Sequence, residues 1–350
     1  MPYYFVFFAI AVGVLAIVNN RRCAVLSVLF LGFCFSALRF DAGYDYPVYY
    51  QFAAGIGNVH FEPLVDLIGF FSRLLHPQVF FVLTSFLVVY FFYKSYSFVE
   101  FACGCSRIAI LIFCFAPIGL LLSMGIIRQM LSAYMIMYAV LLSANRQTGH
   151  AHFIALLAVL THESAFIAFP IIWLRPVLST RIPIIFLWLF LLASPLMLGL
   201  IKIFSKLTGL YYGYFFSELS DIGYKMYLLF LLIFLSFNFF LKEIRDSIII
   251  NHLFNFFFIG LFFYTALLPL GMHLQRLAWS MMISYPLIIG YLLTKSHSLY
   301  RALAVLITFF LLLISLYLAN AEPARDSLNR YRLFFNVSDD YSVMSMDGAQ

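Results

Sequence analysis

The chain has 350 residues, of which 64% are hydrophobic, 20% are aromatic and only 10% are charged. A soluble domain carries about 25% charged and about 45–50% apolar residues, so this composition excludes a soluble domain, a disordered chain, a coiled coil and a secreted disulfide scaffold. About half of the cations behind the net charge of +6 lie in short connectors between apolar runs, so the charge does not indicate a nucleic-acid partner.

Long apolar runs follow one another along the chain, and a helix of about 17–25 apolar residues crosses the bilayer core. The pattern predicts an all-α polytopic integral membrane protein, a single domain over 1–350 with about 12 transmembrane helices. The predicted spans cover residues 3–18, 23–38, 78–93, 108–124, 129–144, 152–161, 165–174, 183–200, 226–241, 247–269, 277–294 and 302–318.

The first span can be oriented by the cations that follow it. Arg21 and Arg22 place its end on the inner face, according to the positive-inside rule. The cations of the later connectors are shared between the two faces and do not decide the topology. With this orientation, the outer face carries two charged loops and a polar C-terminal tail, at 39–77, 201–225 and 319–350.

The run 152–174 allows two interpretations. It is either one span with His162 and Glu163 in mid-membrane, or two short halves that meet outside at 162–164. A His–Glu pair facing lipid would be costly, so we favour the break.

The segment 39–52 mixes charges with aromatic rings. Arg39 and Asp41 open it, and Asp45 lies four residues after Asp41. Flat aromatic faces beside carboxylates suit sugar rings, which offer C–H faces for stacking and hydroxyls for hydrogen bonds. An interfacial aromatic belt beside a locally neutralised Arg–Asp pair is the alternative. The tyrosines of the segment are Tyr44, Tyr46, Tyr49 and Tyr50.

A short helix is predicted after Pro63, a residue that suits the first turn of a helix. Glu62 lies near the positive end of this helix. Asp66 and Arg73 are seven residues apart and therefore share a face. The helix is too short to span the bilayer and indicates an interfacial or re-entrant segment.

Two arginines at the edges of apolar runs are candidates for phosphate binding. Arg128 has no acidic neighbour in sequence, so its counter-charge comes from elsewhere in the fold or from a ligand. Arg276 precedes another long span. The planar guanidinium donates two parallel hydrogen bonds to phosphate. Snorkelling of each side chain to the interface is the alternative.

His162 lies between two long apolar runs. An imidazole gives or takes a proton near neutral pH, so His162 is a candidate acid or base. A satisfied interior histidine is the alternative.

Several motifs of soluble enzymes are missing from the sequence. There is no Walker loop, G-x-G-x-x-G, G-x-S-x-G or D-x-D, which argues against ATP hydrolysis, nucleotide cofactors, serine hydrolysis and a cytosolic nucleotide-sugar transferase. Three arginines at one membrane face, without such motifs, suit a phosphate group delivered by a lipid. We expect no cofactor, and a metal is not required.

The motifs together resemble the EpsG/Wzy family of bacterial exopolysaccharide and O-antigen polymerases. The resemblance runs over roughly residues 39 to 290. It rests on R-x-D-x-x-x-D-Y-x-x-Y (Arg39, Asp41, Asp45, Tyr46, Tyr49), E-P (Glu62, Pro63), I-R-Q (Ile127, Arg128, Gln129), H-x-S-A (His162, Ser164, Ala165) and the late Arg276.

This resemblance implies a multi-pass membrane glycosyltransferase with a GT-C-like bundle. Such an enzyme transfers a growing glycan from undecaprenyl diphosphate to the terminal sugar of a second undecaprenyl-diphosphate-linked repeat unit. The reaction takes place on the periplasmic side of the bacterial inner membrane. The implied partners are the two lipid-linked oligosaccharides, membrane lipid and a chain-length-determining co-polymerase, with no nucleic acid.

Roles for the candidate residues follow as hypotheses. Arg128 and Arg276, with Arg39 as a third candidate, bind the donor diphosphate and stabilise the charge that builds on it. His162 is the first choice for the general base, with Asp45 and Glu163 in reserve. The glycan-binding candidates are Asp41, Tyr44, Tyr46, Tyr49 and Glu62.

Two other functions remain open. An O-antigen ligase is also a lipid-diphosphate transferase, but its acceptor is the lipid A core. A lipid-glycan flippase or secondary transporter would also place charges inside a bundle, and predicts inverted repeats with paired broken helices.

Overall fold

A computed structural model describes residues 2–57, 59–116, 118–208, 224–270, 272–295, 308, 310 and 331–336. Within these residues the chain is mostly helical, with one two-stranded antiparallel sheet. The first half contains α1 (Pro2–Ile17), α2 (Arg21–Ala37), β1 (Arg39–Phe40), α3 (Tyr46–Ala54), α4 (Pro63–Leu75), α5 (Gln78–Cys103), α6 (Ile108–Phe115), α7 (Leu120–Gly125), α8 (Ile127–Ala144) and α9 (Thr148–Thr161).

The second half begins with three short helical pieces, α10 (Ala165–Ala168), a 3-10 turn (Phe169–Ile172) and α11 (Arg175–Ser179). It continues with α12 (Ile184–Thr208), α13 (Tyr224–Asn238), α14 (Leu241–Asp246), α15 (Ile248–Leu267), a 3-10 turn (Leu268–Leu270), α16 (Met272–Met282), α17 (Tyr285–Lys295), β2 (Arg332–Leu333) and a last 3-10 turn (Phe334–Asn336).

The length and apolar character of the helices make the chain a membrane protein. In the described residues, six helical stretches are long and apolar enough to cross a bilayer. They are Gln78–Cys103, Ile108–Gly125, Ile127–Ala144, Ile184–Leu207, Ile248–Leu270 and Leu274–Lys295. Three shorter apolar helices accompany them, at Tyr3–Ile17, Thr148–Thr161 and Tyr224–Asn238. The predicted span at 302–318 lies outside the described residues, apart from single positions.

The break predicted at 162–164 is confirmed, since α9 ends at Thr161 and α10 begins at Ala165. The second half of the predicted hairpin, 165–174, is not one continuous helix. Pro170 lacks an amide hydrogen and interrupts the α-helical ladder, so α10 gives way to a 3-10 turn after four residues.

Several predicted boundaries differ from the structure. The span predicted at 108–124 is divided between α6, which ends at Phe115, and α7, which begins at Leu120, and the span predicted at 277–294 is divided between α16 and α17. The span predicted at 78–93 is part of a longer helix that runs through Lys94 to Cys103, where Glu100 pairs with Arg21 at 2.7 Å. Beyond the apolar stretch, polar and charged side chains continue the same helix. In the predicted loop 201–225, α12 extends to Thr208, and 209–223 lie outside the described residues.

Helix α8 lies at the centre of the bundle and packs against α5, α9, α15 and α16. Almost all of its side chains are buried. Small residues allow close helix approach, as expected in membrane bundles. At Gly260 of α15, a Cβ atom would lie 2.8 Å from Cβ of Met281 on α16.

The predicted loop 39–77 is structured. It contains β1, α3 and α4, and α4 packs against both α3 and α9. This packing places the start of α4 beside the break after α9, where His162 lies.

Candidate functional site

The local sequence explains how α3 and α4 are formed. Pro47 lies in the first turn of α3, and Gly55 ends the helix in the left-handed conformation with φ of 72°. Pro63 is the first residue of α4, and Glu62 immediately precedes it. The side chain of Glu62 therefore projects from the N-terminal end of α4.

Glu62 supplies the counter-charge of Arg128. A guanidinium nitrogen of Arg128 donates to Oε2 of Glu62 at 2.5 Å. The two side chains are only 23% and 17% exposed, so the pair is largely withdrawn from solvent. Ionisable groups in such surroundings require a partner, and the fold provides one from 66 residues away in sequence.

Arg128 also contacts an aromatic face. Its Cζ lies 4.0 Å from the centroid of the Phe61 ring, which is cation–π geometry. The Nε of Arg128 is buried and has no hydrogen-bond partner among the described residues. Another donor of the same guanidinium holds Glu62, so Nε is a hydrogen-bond donor that the described fold leaves unused.

His162 lies beside this pair, in the break between α9 and α10. Its Nδ1 accepts a hydrogen bond from the backbone N–H of Ser164 at 3.0 Å. The backbone N–H of Glu163 points to Oε1 of Glu62 at 3.4 Å, which joins the break to α4. We refer to Glu62, Arg128 and His162 as the Glu62–Arg128–His162 cluster.

Burial lowers the pKa of His162 to about 4; Glu62 raises this pKa and Arg128 lowers it. The imidazole is therefore neutral at pH 7. Because Nδ1 accepts the Ser164 N–H, the single proton of the neutral ring is on Nε2. His162 thus presents a hydrogen-bond donor at Nε2.

Arg276 is connected to the cluster through its backbone. The side-chain amide of Gln129 donates to the carbonyl oxygen of Arg276 at 2.6 Å. Gln129 directly follows Arg128 in the first turn of α8. The start of α8 therefore contacts both Glu62, which precedes α4, and Arg276 of α16.

Arg39 lies nearby in a separate, fully buried setting. Its side chain donates to the carbonyl oxygens of Ala42 at 3.0 Å and Met124 at 3.2 Å, and also to Ser36. Burial lowers the pKa of Arg39 to about 10, and the neighbouring tyrosine hydroxyls oppose this shift, so the side chain is a cation at neutral pH. Met124 lies just before α8 begins, which places Arg39 beside the approach to Arg128.

The tyrosines of the 39–52 segment differ in exposure. Tyr44 is 62% exposed, whereas Tyr46 and Tyr49 are buried. Tyr46 stacks on Phe81 at a centroid distance of 4.5 Å, and Tyr49 stacks on Phe80 at 5.7 Å. Only Tyr44 of these three offers an open ring face.

Tyr49 and Asp45 extend the cluster electrostatically. Burial raises the pKa of the Tyr49 phenol, Arg128 opposes this shift and Asp45 adds to it. Asp45 precedes α3 directly, and Asp41 lies in the turn before it with a φ of 52°. Both carboxylates are partly exposed.

The structure brings most of the predicted residues to one end of the bundle. Glu62, a glycan-binding candidate, instead pairs with Arg128, while Glu163 contributes its backbone and leaves its side chain exposed. Phe61 and the tether through Gln129 were not foreseen. The aromatic residue directly before Glu62 is a usable signal only once the Glu62–Arg128 pairing is known.

Comparison with known families supports the resemblance found in the sequence. A family model described as the EpsG family matches residues 21–333, which is most of the chain. The matched region includes all the candidate site residues. Comparison with curated proteins and with solved structures finds no match.

Proposed function

The chain belongs to the EpsG family, and on this basis we propose that it is an O-antigen or related surface-polysaccharide polymerase. Its donor is a glycan on undecaprenyl diphosphate, and its acceptor is the terminal sugar of another undecaprenyl-diphosphate-linked repeat unit. The protein lies in the bacterial inner membrane with the site facing the periplasm. A chain-length-determining co-polymerase is its proposed protein partner.

One observation carries this proposal, namely the Arg128 guanidinium with a buried, unpartnered Nε beside a neutral histidine. Glu62 and Phe61 hold the guanidinium in place before any ligand arrives. Such a preformed donor in poorly hydrated surroundings stabilises charge that develops on a phosphate oxygen. Arg276 is the proposed additional phosphate contact. Arg39, the third candidate from the sequence, is fully buried and donates to backbone carbonyls, so we propose that it holds the turn before α3 rather than touching phosphate.

In the proposed reaction, an acceptor hydroxyl oxygen attacks the anomeric carbon of the donor sugar. The bond between that carbon and the diphosphate oxygen breaks, and its electron pair remains on the diphosphate. The hydroxyl proton passes to a base. Arg128 stabilises the departing diphosphate, so undecaprenyl diphosphate leaves as an anion.

The tautomer of His162 bears on which group is the base. With its proton on Nε2, the neutral ring donates a hydrogen bond to a substrate oxygen and cannot accept a proton at that nitrogen. This geometry favours Asp45 or Glu163 as the base over His162. Both carboxylates are partly or fully exposed and therefore accessible to a sugar hydroxyl.

We further propose that the complete fold is a GT-C-like bundle of about 12 transmembrane helices. The six long apolar helices and three shorter ones account for part of this number. Helix α4 supports the proposal of an interfacial segment. It carries exposed Leu67, Phe70, Phe71 and Leu74.

The test is a deletion of the gene in its host, complemented with wild-type protein, Arg128→Ala or Arg73→Ala. Surface polysaccharide is then separated on a gel, and membrane levels of the protein are measured. Arg73 is the matched control, since it also contacts a phenylalanine ring, Phe52, but does not touch the cluster. We expect wild type and Arg73→Ala to restore the ladder, and Arg128→Ala to leave single repeat units.

Other outcomes overturn the proposal. Loss of all attached glycan on deletion would indicate a ligase, and accumulation of repeat units on the cytoplasmic face would indicate a flippase. A normal ladder from Arg128→Ala at normal protein level would remove the phosphate-binding role of Arg128.

A further inference from the structure

Residues 331–336 return to the end of the bundle that carries the site. β2 pairs antiparallel with β1, with Arg39 opposite Leu333 and Phe40 opposite Arg332. The backbone N–H of Phe334 continues the pairing with a hydrogen bond to the carbonyl oxygen of Leu38 at 3.1 Å. A segment almost 300 residues later in sequence is thereby joined to the backbone of Arg39.

Tyr331 anchors this segment. Its ring is 6% exposed and stacks on Phe35, with a centroid distance of 4.4 Å and an interplanar angle of 8°. Its hydroxyl donates to the carbonyl oxygen of Phe35 at 2.8 Å. The ring also lies 5.5 Å from that of Tyr3. Tyr331 therefore links the beginning of α1 to the end of α2.

Arg39 depends on its backbone being held. β1 is only two residues long, and β2 is its single strand partner in the described chain. The guanidinium reaches the carbonyls of Ala42 and Met124 from this backbone. A shift of β1 would move the buried cation and the turn that leads to Asp41 and Asp45.

We propose that residues 331–336 are a positioning element for the site, with Tyr331 as its anchor. The pairing of β2 with β1 holds Arg39 and the 41–45 turn in register with α8. The proposal rests on the proposed polymerase function, because polymer formation is its readout. Tyr331 acts through Arg39 and does not itself touch substrate.

Two truncations test the element in the full membrane protein. Removal of 337–350 retains β2 and the last 3-10 turn, whereas removal of 331–350 deletes them. In the complemented deletion strain, we expect the shorter truncation to restore a wild-type ladder. The longer one is expected to lower polymer by about 100-fold, the loss that a misplacement of about 1 Å in a site can cause.

Point variants separate positioning from general loss of structure. Tyr331→Ala removes the stacking ring and is expected to lower polymer about tenfold. Tyr331→Phe keeps the ring on Phe35 and loses only the hydroxyl, so it is expected to restore most of the activity. Normal polymer from Tyr331→Ala at normal protein level would overturn the proposal.

A cysteine pair provides a measurement that does not require a truncated chain to fold. Phe40→Cys combined with Arg332→Cys, with the native cysteines replaced by serine, places two thiols at opposite positions of the sheet. We expect rapid disulfide formation in intact membranes, seen as a gel shift. Slow or absent cross-linking would show that β2 does not pair with β1.

The outcomes for the two proposals differ. If wild-type protein fails to restore the ladder, the polymerase function is wrong. If wild type restores the ladder and the 331–350 truncation restores it equally, the polymerase function stands and the positioning element is wrong.

Discussion

The Arg128 guanidinium lies over the Phe61 ring while it donates to Glu62, the residue that follows Phe61 in sequence. One short stretch before α4 thus supplies both an aromatic face and a carboxylate to the same cation. This double contact holds the guanidinium in place, while its buried Nε has no hydrogen-bond partner among the described residues.

Phe61→Leu keeps an apolar side chain but removes the ring face beneath Arg128. A cation–π contact contributes about 0.5–2 kcal/mol, so polymer formation should fall by about 2- to 30-fold. Phe61→Trp should retain or exceed wild-type activity, since indole is the strongest of the aromatic partners. Phe70→Leu, in an exposed position on α4, is the control. Equal ladders from Phe61→Leu and Phe70→Leu would contradict the prediction.

Glu62 and Arg128 should shift the pKa of His162 in opposite directions. Glu62 raises the pKa of His162, so Glu62→Gln is expected to lower it further below about 4. Arg128 lowers this pKa, so Arg128→Gln is expected to raise it towards the ordinary value of 6.5. NMR titration of labelled histidine in a lipid nanodisc measures both shifts.

Glu163→Gln is the control for this titration, because only the backbone of Glu163 contacts the cluster. It should leave the pKa of His162 unchanged. In wild type the neutral imidazole persists down to about pH 4. Any loss of activity that protonation of His162 causes should therefore appear near pH 4. A loss centred at pH 6.5 would argue against burial of the imidazole.

Amide substitutions at His162 test whether it donates a hydrogen bond or transfers a proton. Glutamine places an N–H donor near the position of Nε2, whereas an amide has no titratable nitrogen near neutral pH. We expect His162→Gln to retain at least about a tenth of the wild-type polymer, because a weakened hydrogen bond lowers the rate by no more than about tenfold. His162→Ala should retain less. Equal loss in both variants, with normal protein levels, would favour proton transfer by His162.

Gln129 should act only through Arg276. Gln129→Leu removes the donor to the Arg276 carbonyl and is expected to reduce polymer about tenfold, because Arg276 then loses its tether to α8. The double variant Gln129→Leu/Arg276→Ala should be no worse than Arg276→Ala alone. Additive losses in this cycle would show that Gln129 has a separate role.

Six of the predicted spans and the break could be foreseen because their signals are local. Apolar runs of membrane length identify the spans, and a His–Glu pair within a run marks the break at His162. The end of α5 could not be placed in this way, because the helix continues into polar sequence as far as Cys103. A change from apolar to charged residues marks the edge of the bilayer, not the end of a helix.

The partners within the site could not be foreseen, because they are distant in sequence. Glu62 and Arg128 are 66 residues apart, and Tyr331 meets Phe35 across 296 residues. The burial of Tyr46 and Tyr49 did have a local signal. Together with Phe52 they follow a helical spacing that places all three on one buried face of α3.

Gly43 lets the 41–45 turn lie against α7, so we expect substitution of this glycine to disturb the site. Its φ is 116°, and a Cβ atom there would lie 2.2 Å from the carbonyl oxygen of Met124. Gly43→Ala must therefore move the turn away from Met124, the residue whose carbonyl also binds Arg39. We expect loss of polymer and a lower thermal unfolding midpoint in detergent.

Gly57→Ala is the matched control for Gly43→Ala. Gly57 also has a positive φ, 78°, but a Cβ atom there meets nothing within 4 Å. Its substitution should cost only the backbone strain of about 1–2 kcal/mol and leave the ladder intact. If the two variants showed the same midpoint and the same ladder, close contact between the turn and Met124 would not be required. A larger loss in Gly43→Ala would show that this contact holds Arg39 and the turn in place.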